Sequence, residues 1–150
     1  MASLVGVVRA VVDGSWTLLE GMCMTIGILV VDDSDYMRSR LKKALDDEEY
    51  EIVAEAKTGA WAVQKYKEHR EDVDVVLMDI IMPNANGVKA TAAIKHLDAE
   101  ARIIMCTSVG QRKKMELAAR AGADGYLIKP FDDEEIRMAV NSIVGKRVDA

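Results

Sequence analysis

From Ile26 onward the chain alternates short, almost unbroken apolar runs with longer stretches in which apolar residues recur every three or four positions. Ile26 to Val31 is apolar throughout, with Gly27 as its smallest member, and stops at Asp32-Asp33. That is the pattern of a strand buried on both faces. Ser34 then predicts a helix cap, with Met37, Leu41, Ala44 and Leu45 on one helical face. Ile52-Val53-Ala54 predicts a second strand, and Ala60 to Glu68 a second helix with Ala62, Val63 and Tyr66 inward. A third strand, Val73 to Met78, ends at Asp79, and Gly87 opens a helix carrying Val88, Ala92, Ile94 and Leu97. Ile103 to Cys106 reads as a strand ending at Thr107. The helix from Gln111 to Ala121 stops at Gly122, which suits a left-handed cap. Gly125 to Ile128 is the last strand and ends at Lys129; a helix from Asp132 then places Ile136, Val140, Ile143 and Val144 on one side.

Strands that are apolar throughout and separated by helices predict an α/β fold, an open, doubly wound five-stranded parallel sheet with helices on both faces. In such sheets ligands bind beyond the carboxyl ends of the strands. The polar residues at those ends are Asp32, Asp33, Asp79, Thr107 and Lys129, and Pro83 and Pro130 follow two of the strands closely.

Composition narrows the function classes. With 150 residues, half of them apolar and 30% charged, the chain suits one globular domain. A formal charge of −5 argues against nucleic acid or an anionic lipid surface as a partner. No apolar run is long enough to span a membrane, and two cysteines without paired spacing suit a reduced chain of the cytoplasm. Cys23 and Cys106 lack the spacing of a zinc cluster or redox pair, and His69 and His96 lack ligand company, which predicts reduced thiols and solvated surface histidines. Residues 1–24 read apart from the rest. Leu4 to Val12 is apolar but cut by Arg9, and Asp13-Gly14 is a turn signal. No cation precedes Arg9, which argues against a secretory leader. The remaining readings are a short membrane-surface or partner-binding helix, a poorly ordered extension, or an over-long start with Met22 or Met24 as initiator. Residues 25–150 form the expected domain.

The strand-end residues carry the chemistry. Carboxylates within about 5 Å of one another repel by roughly 3 kcal/mol per ionised pair at an effective dielectric near 20, so Asp32, Asp33 and Asp79 together ask for a cation. Hard oxygen ligands without histidine or thiolate favour Mg²⁺. Lys129 adds a fixed positive charge and Thr107 a hydroxyl donor. A carboxylate nucleophile, a divalent ion, a lysine and a hydroxyl together meet the requirements of phosphoryl transfer.

The stretches Val30-Val31-Asp32-Asp33-Ser34, Met78-Asp79-Ile80-Ile81-Met82-Pro83-Asn84-Ala85-Asn86-Gly87, Thr107-Ser108 and Tyr126-Leu127-Ile128-Lys129-Pro130-Phe131 stand in order, each at a strand end. In these motifs residues 25–145 resemble the receiver domain of two-component response regulators, of the CheY chemotaxis type and its archaeal members in particular. The resemblance implies a flavodoxin/CheY-like (βα)5 fold with strand order 2-1-3-4-5. It implies Asp79 as the phosphoacceptor, taking a phosphoryl group from a histidine kinase, with Mg²⁺ held by Asp32, Asp33, Asp79 and the main-chain carbonyl of Ile81. Lys129 and Thr107 would contact the phosphoryl oxygens, and Tyr126 matches the aromatic that changes rotamer with Thr107. Plainer roles stand beside these: Asp32 as a helix cap, Thr107 as a loop-ordering hydroxyl, Tyr126 as packing.

Two departures carry expectations of their own. Ile80 and Ile81 after the acceptor, and Val109 two residues after Thr107, cannot orient an attacking water, which predicts slow self-dephosphorylation. Arg112, Lys113 and Lys114 occupy the first turn of the fourth helix, where the helix dipole disfavours cations. They form either a solvated face or an electrostatic contact with an acidic partner. The reading is a single-receiver switch, a monomer that acts through its own surface on a motor or archaellum adaptor. A phosphorelay intermediate is the alternative. A haloacid-dehalogenase-type phosphatase would need Asp33-Ser34-Asp35 beyond the first strand, yet Asp35 is expected in the helix. Flavin binding would need a hydroxyl- and glycine-rich loop where the acidic pair stands.

Overall fold

The structure is a computed structural model that describes residues 8–12, 15–19, 25–82 and 87–149, with side chains over 25–82 and 87–145. Its elements are β1 (Val8–Val12), β2 (Ser15–Leu19), β3 (Ile26–Val31), α1 (Asp35–Ala44), β4 (Tyr50–Ala56), α2 (Gly59–His69), β5 (Val75–Asp79), α3 (Gly87–Leu97), β6 (Ile103–Ser108), α4 (Arg112–Ala121), β7 (Gly125–Lys129) and α5 (Asp133–Asp149). The five strands from β3 onward form one parallel sheet in the order β4-β3-β5-β6-β7. The second strand of the alternating part therefore lies outside the first, and the remaining three run on from the other side of it. This is the expected fold class and strand order.

Alternate residues of the central strands feed two cores. Leu29, Val31, Val76, Met78, Ile103 and Met105 pack against Ala62 and Tyr66 of α2, Ile94 of α3 and Ala118 of α4. Ile28, Val30, Val75, Leu77 and Ile104 meet Leu41 of α1 and Ile136, Val140 and Ile143 of α5 on the opposite face. Each aliphatic side chain withdrawn from water in this way contributes about 1.5 to 3 kcal/mol. Continuous apolarity in β3, β5 and β6 follows, because neither face of these strands meets water.

Local signals set the helix ends. Ser34 accepts a hydrogen bond from the Met37 amide and caps α1, and Thr58 caps α2 in the same way through Trp61. Gly122 ends α4 at φ +109, a left-handed conformation that a side chain would resist.

Three elements differ from the sequence expectation. β4 runs from Tyr50 to Ala56 instead of covering only Ile52-Val53-Ala54, because β3 templates it along its length, from Ile26↔Tyr50 to Val31↔Ala56. As an edge strand it keeps Glu51 and Glu55 near water, and these acids hide its ends from an apolar pattern. In α3 the buried stripe is Ala90, Thr91 and Ile94, while Ala92 faces solvent. The Thr91 hydroxyl lies 3.3 Å from the Met105 sulfur, so a polar residue fits this buried face. Within residues 1–24, β1 and β2 pair as an antiparallel ladder from Val8↔Leu19 to Val12↔Ser15, in place of the short helix that was one of the readings there. Asp13-Gly14, read as a turn, lies outside the described residues. Cys23 and the candidate initiators Met22 and Met24 lie outside the described residues.

Candidate functional site

Each strand delivers its polar residue as it leaves the sheet. β3 ends at Val31, so Asp32 is the first residue past its last pairing, and β5 and β7 end on Asp79 and Lys129 themselves. Since β3 and β5 are neighbours, their ends bring the acids together. One oxygen from each of Asp32, Asp33 and Asp79 lies within 4.8 Å of the others, the only such group of three or more His, Cys, Asp or Glu side chains among the described residues. Lys129 reaches in from the far edge of the sheet, with Nζ 3.3 Å from Asp32 Oδ2 and 3.4 Å from Asp79 Oδ1. Asp32 and Asp79 are buried, at 1% and 6% exposure, while Asp33 faces solvent.

The electrostatics follow from that packing. Burial, then the charge of Asp32, pushes the Asp79 carboxyl up to about 6, against the pull of Lys129 and the Ile81 amide. For Lys129, burial alone would lower the ammonium, but the charges of Asp79 and Asp32 outweigh it and hold it above its ordinary value. One lysine therefore leaves negative charge at the site uncompensated. Hard oxygens, close spacing and residual negative charge fit a small divalent cation and do not fit a soft metal. Cys106 stands opposite Asp79 in the β5-β6 register, but burial pushes its thiol up to about 12 and keeps it neutral.

The other candidate residues occupy distinct places. Asp32 has two tasks at once: Oδ1 accepts the Ser34 amide at 2.9 Å, as a turn-forming residue does, while Oδ2 faces Lys129. The Thr107 hydroxyl is buried and donates to the neighbouring Ser108 carbonyl at 3.3 Å, a local bond of the loop-ordering kind. Tyr126 is half-buried against the core, and its hydroxyl donates to the Met115 carbonyl of α4 at 3.1 Å. Ile81 donates its amide to Asp79 Oδ1 at 3.4 Å while its side chain is 45% exposed, and Val109 is 81% exposed. Arg112, Lys113 and Lys114 are exposed at the start of α4, with Arg112 paired to Glu116 at 3.7 Å. Leu117 of α4, Ile128 of β7 and Met138 of α5 are half or more exposed. His96 is exposed and His69 half-buried, and neither belongs to the acidic group. Asp35 opens α1 and pairs with Arg38, so a second acid at that position is not in the cluster.

Two residues gain importance only here. Gly87 sits so close to the end of β5 that an added Cβ would lie 2.1 Å from the Asp79 carbonyl oxygen, and its amide donates to the Ile80 carbonyl at 2.9 Å. Arg38 is buried beneath Asp32. The signal for it was present in the sequence: Arg38 shares the helical face of Leu41 and Leu45, where a cation needs a specific partner.

Comparison with known proteins gives consistent relatives. Residues 28–141 match the response regulator receiver domain family. The chemotaxis protein CheY of Halobacterium salinarum is 50% identical over 117 residues, covering 78% of this chain and 95% of that protein. The CheY of Bacillus subtilis is 46% identical over 114 residues, 76% of this chain and 93% of its own. Among solved structures, the CheX-CheY-BeF3-Mg²⁺ complex from Borrelia burgdorferi aligns with a TM-score of 0.75 and 31% identity, over 79% of this chain and 89% of that one.

Proposed function

The chain belongs to the response regulator receiver family, of the CheY type, and on that premise we propose that residues 25–150 act as a chemotaxis switch phosphorylated on Asp79. The observation that carries the reading is the meeting of Asp32, Asp33, Asp79 and Lys129 at the carboxyl ends of β3, β5 and β7. In the proposed reaction an Asp79 oxygen attacks the phosphorus of a kinase phosphohistidine. The P–O bond forms as the P–N bond breaks, and the imidazole leaves with the electron pair. Lys129 faces the charge that builds on the transferred oxygens, and burial keeps water from competing. A Mg²⁺ ion held by Asp32, Asp33, Asp79 and the main-chain carbonyl of Ile81 would supply neutralisation of that charge. Receivers are phosphoacceptors and not classical enzymes, so the product is a modified protein whose surface carries the message.

Thr107 is the proposed relay. Its hydroxyl would leave the Ser108 carbonyl for a phosphoryl oxygen, and Tyr126 would follow into the space this opens. The output surface on this reading is the exposed face of α4, β7 and α5, to which Leu117, Ile128 and Met138 contribute exposed apolar side chains and Arg112, Lys113 and Lys114 exposed cations. Exposed cations and apolar side chains on these elements suit an acidic partner, either a motor or archaellum adaptor or a protein comparable to CheX. Residues 1–24 are proposed as an extension outside the switch. No helix among the described residues is long and apolar enough to cross a membrane, and we place the exchange in the cytoplasm with the kinase. The deciding experiment is phosphotransfer from a candidate histidine kinase, with and without Mg²⁺, to the wild-type chain and to Asp79→Asn. Both chelation and the substitution are expected to abolish labelling; a labelled Asp79→Asn chain would refute the assignment.

A further inference from the structure

We infer that Arg38 is a positioning residue for the acidic cluster: it holds the main chain of Asp32 and so sets where that carboxylate stands for a divalent cation. The inference rests on the reading of the cluster as a cation site. β3 pairs with its neighbours only as far as Val31, so the Asp32 carbonyl has passed the end of the ladder while its residue remains buried. A buried carbonyl there needs a donor. Arg38 Nη1 supplies it at 2.7 Å, while the Asp32 amide donates to the Ala56 carbonyl at 3.1 Å. The Asp32 peptide groups are thus fixed from both sides, one by the edge strand and one by α1.

The guanidinium is itself held in place. Its side chain is 8% exposed, Nε lies 3.2 Å from Glu55 Oε1, and it pairs with Asp35. Glu55 also binds Lys42 Nζ at 2.9 Å, and the Lys42 and Arg38 contacts keep its carboxyl below the usual range despite burial. The fork geometry of arginine allows one side chain to serve a carbonyl and two carboxylates together, where lysine offers a single point. Two acids already balance the Arg38 charge, so its role toward Asp32 is one of position. A groove of about 450 Å³ bordered by Arg38, Glu55, Lys57, Trp61 and Lys65 adjoins the contact. Water from that groove can take up the Asp32 carbonyl if Arg38 is shortened; the chain then folds without fixing the peptide.

The test is titration calorimetry of the full chain with Mg²⁺, alongside melting in chelator. Arg38→Gln combined with Glu55→Gln removes one charge of each sign and is expected to weaken Mg²⁺ binding about tenfold, the usual effect of losing a residue that orients a ligand. Glu55→Gln alone leaves the Asp32 contact and is expected to stay within about threefold, and Arg38→Lys, which keeps one donor for the Asp32 carbonyl but gives up the fork, to recover part of the loss. If the double variant does not fold, Arg38→Met with Glu55→Gln retains the packed stem and takes its place. A folded double variant that binds Mg²⁺ like the wild type, or an Arg38→Lys chain as weak as the double variant, would overturn the inference. Asp33→Asn separates the two levels. If it abolishes binding while the Arg38 variants do not, only the positioning role fails. If the wild type binds no Mg²⁺, the cation-site reading fails and this inference with it.

Discussion

Replacing Asp79 with Asn should make the metal-free protein more stable. A carboxyl that titrates near 6 in the folded chain and at 3.8 as a model group is disfavoured in its charged folded form by about 3 kcal/mol. The causes are burial and the Asp32 charge, and the opposing pull of Lys129 is already contained in that value. The sign follows from linkage: a group whose folded pKa is raised contributes stability below its unfolded pKa and loses it as pH rises through the folded one. Asn mimics the protonated acid at every pH. The variant should therefore exceed the wild type by about 2 to 3 kcal/mol near pH 7.5, by about 1.5 near pH 5, and by well under 1 near pH 4.

Urea unfolding in chelator at about those three pH values measures the gap directly. A rise in Tm of roughly 6 °C near neutral pH is the thermal counterpart. Adding Mg²⁺ should reverse the order, because a cation held by the folded acids stabilises the wild type by mass action and the variant less. If Asp79→Asn is no more stable than the wild type near pH 7.5, or if the gap does not narrow on acidification, the electrostatic account of the site is wrong.

Three further outcomes are expected. Gly87→Ala forces a methyl to within 2.1 Å of the Asp79 carbonyl oxygen and should cost about 2 to 4 kcal/mol in urea unfolding; an unchanged midpoint would mean that the β5-α3 junction is loose. Ile81→Asn replaces a half-exposed apolar side chain beside the acceptor with one able to orient water, and loss of label from the phosphorylated chain should quicken by at least about threefold; an unaltered decay rate would sink the idea. Reversing Lys113 and Lys114 to Glu should slow association with the downstream partner roughly tenfold at low salt, with less difference at high salt. Equal affinities at both salt concentrations would remove that face from the contact.

Much of the fold was legible because its cause is periodic. β3, β5 and β6 are buried on both faces, so each reads as an unbroken apolar run, and Ser34 and Gly122 mark helix ends by chemistry that acts within a few residues. β4 was legible only at its centre, because an edge strand leaves Glu51 and Glu55 near water. The β1-β2 pairing was missed although its turn signal was noted. Two five-residue runs carry too little apolar pattern to announce strands by themselves.

The site divides along the same line. Local sequence alone determined which residues stand at the strand ends, since a polar residue directly after a buried strand is a feature of the chain itself. Tertiary structure decided what those residues become: the β4-β3-β5-β6-β7 order sets Asp32 beside Asp79, and Lys129 crosses from the far edge to within 3.4 Å of both. It decided as well that Gly87 must lack a side chain and that Arg38 turns inward to the Asp32 carbonyl. Periodicity encodes which face of an element is buried, a one-body property. Distance and pKa belong to pairs of residues 47, 50 or 97 positions apart in the chain, and only packing brings such pairs within a few ångströms.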